Sequence, residues 1–312
     1  MPATLYWMQA GACGGDTWSL LSLESPDLAQ LLEQLELQVL WHPSLSNLSA
    51  AEHDQLVESI TSGATPLDFL CVEGSVIQGP GGTGMFDTSG GRAKKDLVAR
   101  LAARARHVIA VGTCASFGGL CADGATEATG LQFHKTRKGG FLGEGFLAGS
   151  GLPVVNIPGC PAHHDAVAST LAALAANAPL QLNEHNAPLE HFGLLVHQGC
   201  LRNEYHEYRV EERDFGERGC LFFHLGCRGP LAYGPCNKLL WNHRSSKTRV
   251  GVPCVGCTEP SFPKAQPFFS TRALAEIPIE LPHGVDRAHY LAYKGMAAAA
   301  APERLKRRKT RV

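Results

Sequence analysis

Three short apolar runs in this chain each end in a turn that carries a cysteine, and this limits the folds open to it. Leu5–Met8 leads into Gln9-Ala10-Gly11-Ala12-Cys13-Gly14-Gly15-Asp16, His107–Val111 into Gly112-Thr113-Cys114, and Pro153–Ile157 into Pro158-Gly159-Cys160. Such runs read as strands buried on both faces, the pattern of a parallel sheet. Two more strands are expected at Leu37–Trp41 and Leu67–Val72. Helices are expected between them. One has Ser25 as N-cap and Pro26 at its first position, one opens on the capping box Ser49-Ala50-Ala51-Glu52, and others cover Lys94–Arg106 and His164–Ala176. Alternating strands and helices predict an open α/β sheet, whose ligands gather beyond the carboxyl ends of the strands. Cys13, Cys114 and Cys160 should therefore meet at one edge. Structural cysteines can reach such an edge by chance, but these three stand in glycine-containing turns instead of mid-strand. Asp16, three residues after Cys13, is close enough in one tight loop to share a metal centre with it.

The chain has 312 residues, room for one large domain or two ordinary ones. A net charge of −1 gives no general basic surface for nucleic acid. No apolar run approaches the ~20 residues of a transmembrane helix. The first residues show no basic region, long apolar core or twin arginine, so no export leader and a cytoplasmic location are expected. In that setting eleven cysteines suggest metal or redox chemistry over a disulfide framework. The pattern divides the chain into residues 1–180, an α/β domain, residues 181–290, a loop-rich domain ordered by its cofactors, and residues 291–312, a flexible tail. That tail carries Arg304, Lys306, Arg307, Arg308, Lys309 and Arg311. It reads as a solvated terminus or as a peripheral contact with anionic lipid or a partner.

The second half holds His197-x-x-Cys200, Cys220, Cys227, Cys236 and Cys254-x-x-Cys257. Zinc uses such residues, but here its sites would be scattered over a long stretch. Iron–sulfur clusters, held by thiolates with an occasional histidine, fit better. His197, Cys200, Cys220 and Cys227 fill one four-ligand site. Cys236, Cys254 and Cys257 leave a three-thiolate site, and Cys13, Cys114 and Cys160 with Asp16 fill a third. Cys71, inside an expected strand, reads as core packing, and Cys121 has no assigned role.

With these residues in place the chain resembles the small subunit of [NiFe] hydrogenases over nearly its whole length. The resemblance rests on Gly112-Thr113-Cys114-Ala115-Ser116-Phe117-Gly118-Gly119, Ile157-Pro158-Gly159-Cys160-Pro161, His197-x-x-Cys200, Leu225-Gly226-Cys227-Arg228-Gly229-Pro230 and Pro253-Cys254-Val255-Gly256-Cys257-Thr258-Glu259-Pro260. It implies a flavodoxin-like open parallel sheet in the N-terminal domain, followed by an irregular iron–sulfur-cluster domain. It further implies a proximal cluster at Cys13, Cys114 and Cys160, a medial one at Cys236, Cys254 and Cys257, and a distal one at His197, Cys200, Cys220 and Cys227. The implied partner is a large subunit holding the Ni–Fe centre, in a dimer of heterodimers, with an acceptor downstream.

The family usually carries Cys-x-x-Cys in the first loop. Asp16 at the second position resembles the actinobacterial-type enzymes, associated with high-affinity, oxygen-insensitive hydrogen uptake, and it puts a hard oxygen donor where a soft thiolate is usual. Gly15 stands where one extra cysteine of oxygen-tolerant membrane-bound relatives would be. The distal pair Cys220 and Cys227 is spaced one residue wider than in standard members. The medial cluster is either three-iron, or four-iron with His243 or Ser246 completing it. Glu73, past the third strand, reads as a loop or cap residue; the resemblance implies a role in cluster electrostatics or proton movement. The glycine-rich Gly79–Gly84 lacks the Lys-Ser/Thr ending of a phosphate loop. His163 and His164 read as supporting or solvent groups.

The expected function is therefore the electron-transfer subunit of a hydrogen-oxidising enzyme. The alternatives are the same subunit in a cytoplasmic hydrogen sensor signalling to a kinase, or a related cluster subunit of a quinone-reducing or formate-linked complex.

Overall fold

A computed structural model describes residues 2–263 and 268–306. It divides into two compact units. One is built from residues up to His191 together with Thr258–Pro263, the other from Phe192–Cys257 and the residues from 268 on. The first unit thus runs past the boundary expected at residue 180 and takes back a short later segment.

The first unit is organised by five parallel strands: β1 (Ala3–Gln9), β2 (Leu37–Trp41), β3 (Phe69–Glu73), β6 (His107–Val111) and β9 (Val155–Ile157), in the order β2-β1-β3-β6-β9. Two-residue hairpin pairs, β4 (Thr88–Ser89) with β5 (Arg92–Ala93) and β7 (Phe133–His134) with β8 (Arg137–Lys138), lie between them. Counting sheet strands alone, the order is 2-1-3-4-5, that of flavodoxin-like folds. β3 and β6 are buried at every residue, as continuous apolar strands of a doubly covered sheet should be. The register aligns the strand ends: Gln9 lies opposite Glu73, Glu73 opposite Val111, and Val111 opposite Ile157. The turns after β1, β6 and β9 therefore leave the sheet at one edge.

Six helices accompany the strands: α1 (Gly15–Leu21), α2 (Leu28–Gln34), α3 (Ala50–Ser62), α4 (Lys94–Ala102), α5 (Gly112–Phe117) and α6 (His164–Ala175). The expected capping box on α3 forms, Ser49 and Glu52 each closing on the other's backbone. The start expected at Ser25 is corrected: Asp27 caps α2 and forms its own box with Gln30. Asp27 wins because its carboxylate reaches the N–H of Gln30 at 2.8 Å. Helix α4 stops at Ala102, earlier than Arg106. Helices α1 and α5 are additions, placing Asp16 and Cys114 in first helical turns. The core joins Tyr6, Met8, Leu70 and Val72 to Ile60 of α3 and Leu101 of α4.

The second unit is mostly irregular, with a small core of Leu221, Phe222, Phe223, Cys220 and Cys227. α7 (Leu189–Phe192), α8 (Asn203–Glu207), α9 (Arg287–Ala299) and α10 (Glu303–Lys306) complete the helices. The tail expected to be flexible from residue 291 is thus helical through most of its described length. Leu305 is buried beside Val210, Tyr205 and Tyr208, and Arg304 pairs with Glu204. Arg307, Arg308, Lys309 and Arg311 lie outside the described residues.

Candidate metal centres

Asp16 ties together the three loops that carry Cys13, Cys114 and Cys160. Its backbone N–H donates to Glu73 Oε1 at 3.1 Å, and its Oδ1 accepts from the N–H of Ala162 at 2.6 Å. Its Oδ2 lies against Gly112, where a Cβ would approach it to 2.1 Å. Gly112 has φ +85°, a conformation that also favours glycine. Burial pushes the Asp16 carboxyl up to about 7; the Ala162 N–H opposes this shift and the Glu73 charge adds to it. Cys114 is held above its ordinary value by burial and feels Asp16, Cys121 and Cys13 as neighbouring charges. The loop at Gly119 leaves the Cys114 sulfur free of crowding, since a Cβ there would come within 2.4 Å of it. A thiol pair and a carboxylate thus gather at the edge of the sheet, in a cradle that side chains at these glycines would fill. Cys160 emerges at the same edge from the turn after β9.

Glu73 is no ordinary loop residue. It ends β3 and is 1% exposed. It accepts from Trp7 Nε1 at 3.1 Å, Gln9 Nε2 at 3.2 Å and Thr17 Oγ1 at 2.5 Å, besides the Asp16 N–H. All four donors belong to β1 or α1, so the carboxylate fixes the first loop to the sheet. Of the cysteines without an assigned centre, Cys71 is fully buried in β3, as core packing requires, and Cys121 is exposed. His163 and His164 are buried, which removes the solvent-group reading. In the glycine-rich loop, the N–H groups of Gly81 and Gly82 are taken by the Glu127 carboxylate at 2.8 and 2.9 Å.

In the second unit His197, Cys200, Cys220 and Cys227 line one small cavity. Burial raises the Cys220 thiol and pushes Cys227 up to about 11, each raised further by neighbouring thiolate charge. Burial lowers His197, which keeps its imidazole neutral and able to donate a lone pair. Arg202 buttresses the cavity, bonding to the carbonyls of Thr248 at 2.7 Å and Gly219 at 2.6 Å. His206 belongs here as well. Its Nδ1 lies 3.5 Å from Cys220 Sγ, and its ring centre lies 4.4 Å from that of His197. No spacing motif marks His206 in the sequence; a histidine close to His197-x-x-Cys200 was the only available signal.

Cys236, Cys254 and Cys257 form the third set. Burial pushes Cys236 up to about 12, and Cys257 adds to it. Burial also raises Cys254, which feels Cys227, Cys257 and Cys236. Neither candidate fourth ligand is drawn in. Ser246 Oγ donates to Asn237 Oδ1 at 2.5 Å, and His243 is exposed.

None of the eleven cysteines is in a disulfide. Zinc–sulfur bonds of ~2.3 Å would draw bound thiolates to within ~4 Å of one another. Among the described residues, the group of metal-ligating side chains with all donor atoms within 4.8 Å is His163, His164 and Asp165, not a cysteine set. The soft, buried sulfur donors of the thiol sets suit a polynuclear iron–sulfur group.

The chain is similar to known proteins over most of its length. The C-terminal family of the NiFe/NiFeSe hydrogenase small subunit matches residues 192–270, and the family of the NADH ubiquinone oxidoreductase 20 kDa subunit matches residues 13–174. The F420 non-reducing hydrogenase II small subunit of Methanosarcina mazei is 32% identical over 290 residues, covering 84% of this chain and 73% of that protein. The hydrogenase-2 small chain of Escherichia coli is 28% identical over 262 residues, covering 81% and 66%. Among solved structures, the actinobacterial-type NiFe-hydrogenase from Ralstonia eutropha H16 superimposes with a TM-score of 0.78 at 26% identity, covering 99% of this chain and 94% of that one. The reduced Ni-Fe-Se hydrogenase from Desulfomicrobium baculatum gives 0.75 at 27% identity, covering 87% and 100%.

Proposed function

The chain belongs to the small-subunit family of nickel–iron hydrogenases, and on that premise we propose that it is the electron-transferring subunit of a hydrogen-uptake enzyme with three iron–sulfur centres. Cys13, Asp16, Cys114 and Cys160 would hold the proximal centre, Cys236, Cys254 and Cys257 the medial one, and His197, Cys200, Cys220 and Cys227 the distal one. When bound, such clusters supply one-electron redox chemistry, which links hydrogen oxidised on the large subunit to an acceptor.

The residues of this chain supply position, dryness and proton control. The thiols that burial raises, Cys114, Cys220, Cys227, Cys236 and Cys254, would lose their protons as iron binds. Neutral His197 is ready to ligate. The Ser246 hydroxyl is committed to Asn237 and His243 faces solvent, which supports a medial centre held by three thiolates alone.

The observation that carries the proposal is the Asp16 carboxylate. Ala162 fixes one oxygen, and the other, packed against Gly112, would be the donor to iron. A hard donor at this position, together with the likeness to the actinobacterial-type Ralstonia structure, supports uptake over sensing. Asp16→Cys in the complex with the large subunit tests the ligand directly. The expected outcome is a changed paramagnetic signature of one cluster and altered hydrogen-dependent dye reduction in air; unchanged spectra and unchanged activity would remove Asp16 from the ligand set. Fast dye reduction by the unaltered complex, persisting in air, is expected of the uptake enzyme. Slow turnover with nickel bound would replace this reading with the sensor.

A further inference from the structure

We propose that His206 raises the reduction potential of the distal centre by donating a hydrogen bond from its Nδ1 to the sulfur of Cys220. The inference rests on the proposed electron-transfer role and adds to it a positioning residue that is not itself a ligand. The placement begins in the backbone. Cys200 leads into α8, and the Arg202 N–H donates to Cys200 Sγ at 3.4 Å. The short helix then turns His206 back toward the thiol set, its N–H bonded to the Arg202 carbonyl at 3.1 Å. Its Nδ1 comes to 3.5 Å from Cys220 Sγ, within reach of a hydrogen bond to sulfur.

Neighbouring rings hold the imidazole at that angle. Phe223 stacks on it, centroids 5.3 Å apart and planes at 18°. Phe222 and His197 meet it at 64°, with centroids 5.4 and 4.4 Å away. The Arg209 guanidinium lies 4.6 Å from the Phe223 ring centre and anchors the stack in turn. Chemistry fixes the direction of the bond. A thiolate bound to iron has no proton to give, so the contact is favourable only with Nδ1 as the donor. Cys220 is buried and already accepts from the N–H of Phe222. Cys200 and Cys227 likewise accept from the N–H groups of Arg202 and Gly229. Those backbone bonds come with the ligand loops, whereas the imidazole bond depends on one replaceable side chain.

In the proposed relay the distal centre is reduced by one electron as the medial centre is oxidised by one. The added negative charge spreads onto the sulfurs, and the proton stays on Nδ1. A donor beside a buried sulfur is held more tightly by the more negative state, so the bond favours reduction. The last centre of the relay would thereby retain electrons that come from hydrogen until an acceptor takes them.

The test is a redox titration of the complex of this chain and its large subunit, followed by electron paramagnetic resonance. The distal signal is the one that His197→Cys alters. His206→Phe keeps a ring for the stack and removes the donor. It should lower the reduced-to-oxidised ratio of the distal centre about tenfold at a fixed potential, a shift of about 59 mV for one electron. The other two centres should keep their potentials. His206→Asn, whose amide nitrogen takes the place of Nδ1, should restore the distal potential although it fills the stack less well. His206→Gln, whose amide falls near the place of Nε2, should behave as His206→Phe does, and it stands in if His206→Phe does not assemble. An unmoved distal potential in His206→Phe or His206→Gln would overturn the proposal. A larger shift in His206→Asn than in His206→Phe would also overturn it, because packing and not the bond would then set the potential. Loss of the strong nitrogen coupling of a ligating imidazole in His206→Phe would overturn it by making His206 a ligand. If the unaltered complex showed no cluster signal, the electron-transfer role itself would fall, and this proposal with it.

Discussion

Gly112 has no space for a side chain: a Cβ would sit 2.1 Å from Asp16 Oδ2, and the backbone is at φ +85°. Gly112→Ala should therefore cost about 2 kcal/mol or more and displace the carboxylate. A lower denaturant midpoint, together with loss of the same spectroscopic signature that Asp16→Cys alters, is the expected result. His206 gives a prediction in pH. Burial, with the neighbouring His197 and Arg209, lowers its pKa from 6.5 to about 3. Between those values the folded chain binds fewer protons at this site than the unfolded one, so stability rises with pH across the window. The contribution, a few kcal/mol at most, is present above about 6.5 and lost on acidification toward 3. His206→Phe should flatten the acid limb of the melting temperature measured against pH. The sequence made Asp16 legible through its spacing from Cys13 and the glycines around it. It could not do so for His206, whose neighbours His197, Cys220 and Phe223 converge only when the irregular second unit folds.

At the scale of elements, the strands could be read because each is a continuous apolar run, and α3 because its capping box is local chemistry. Helix α1 could not: Gly14-Gly15 reads as a turn, and the helix is held by tertiary bonds to Glu73. That carboxylate, at the end of β3, is accepted into the first unit only because four donors from β1 and α1 surround it. Glu73→Ala would take the acceptor from Trp7 Nε1, Thr17 Oγ1 and the Asp16 N–H, while Gln9 Nε2 keeps its bond to Thr17 Oγ1, at ~1–3 kcal/mol for each donor that water cannot reach. The expected total is at least about 3 kcal/mol. Ser49→Ala, which removes one half of an exposed capping box, should cost about 1 kcal/mol. Comparing the two by urea denaturation separates a tie between elements from a local cap. A Glu73→Ala loss no larger than that of Ser49→Ala would show that water replaces the carboxylate, and that α1 does not depend on it.

Across the whole molecule, the two units get their order from different sources. The first has five paired strands and a core from Tyr6 to Leu101 that contains no proposed ligand. The second has short elements and a core in which two of the five buried residues, Cys220 and Cys227, are proposed ligands. A group that binds only the folded state adds its binding free energy to folding, so that addition falls mainly on the second unit. It has few other terms to offset the entropy of ordering its loops, ~1–2 kcal/mol per residue for the backbone alone. Without iron, raised thiols such as Cys227, at about 11, would return to the protonated form, and the links that iron makes between their loops would be lost. Removing iron with a chelator under reducing conditions should thus open residues 192–257 to amide exchange and proteolysis while β1, β3 and β6 stay protected. Equal loss of protection in both units would mean that the sheet also depends on its edge centre, with Asp16 and its three loops acting as a keystone for the fold. Protection retained in both would mean that the second unit holds itself together without metal.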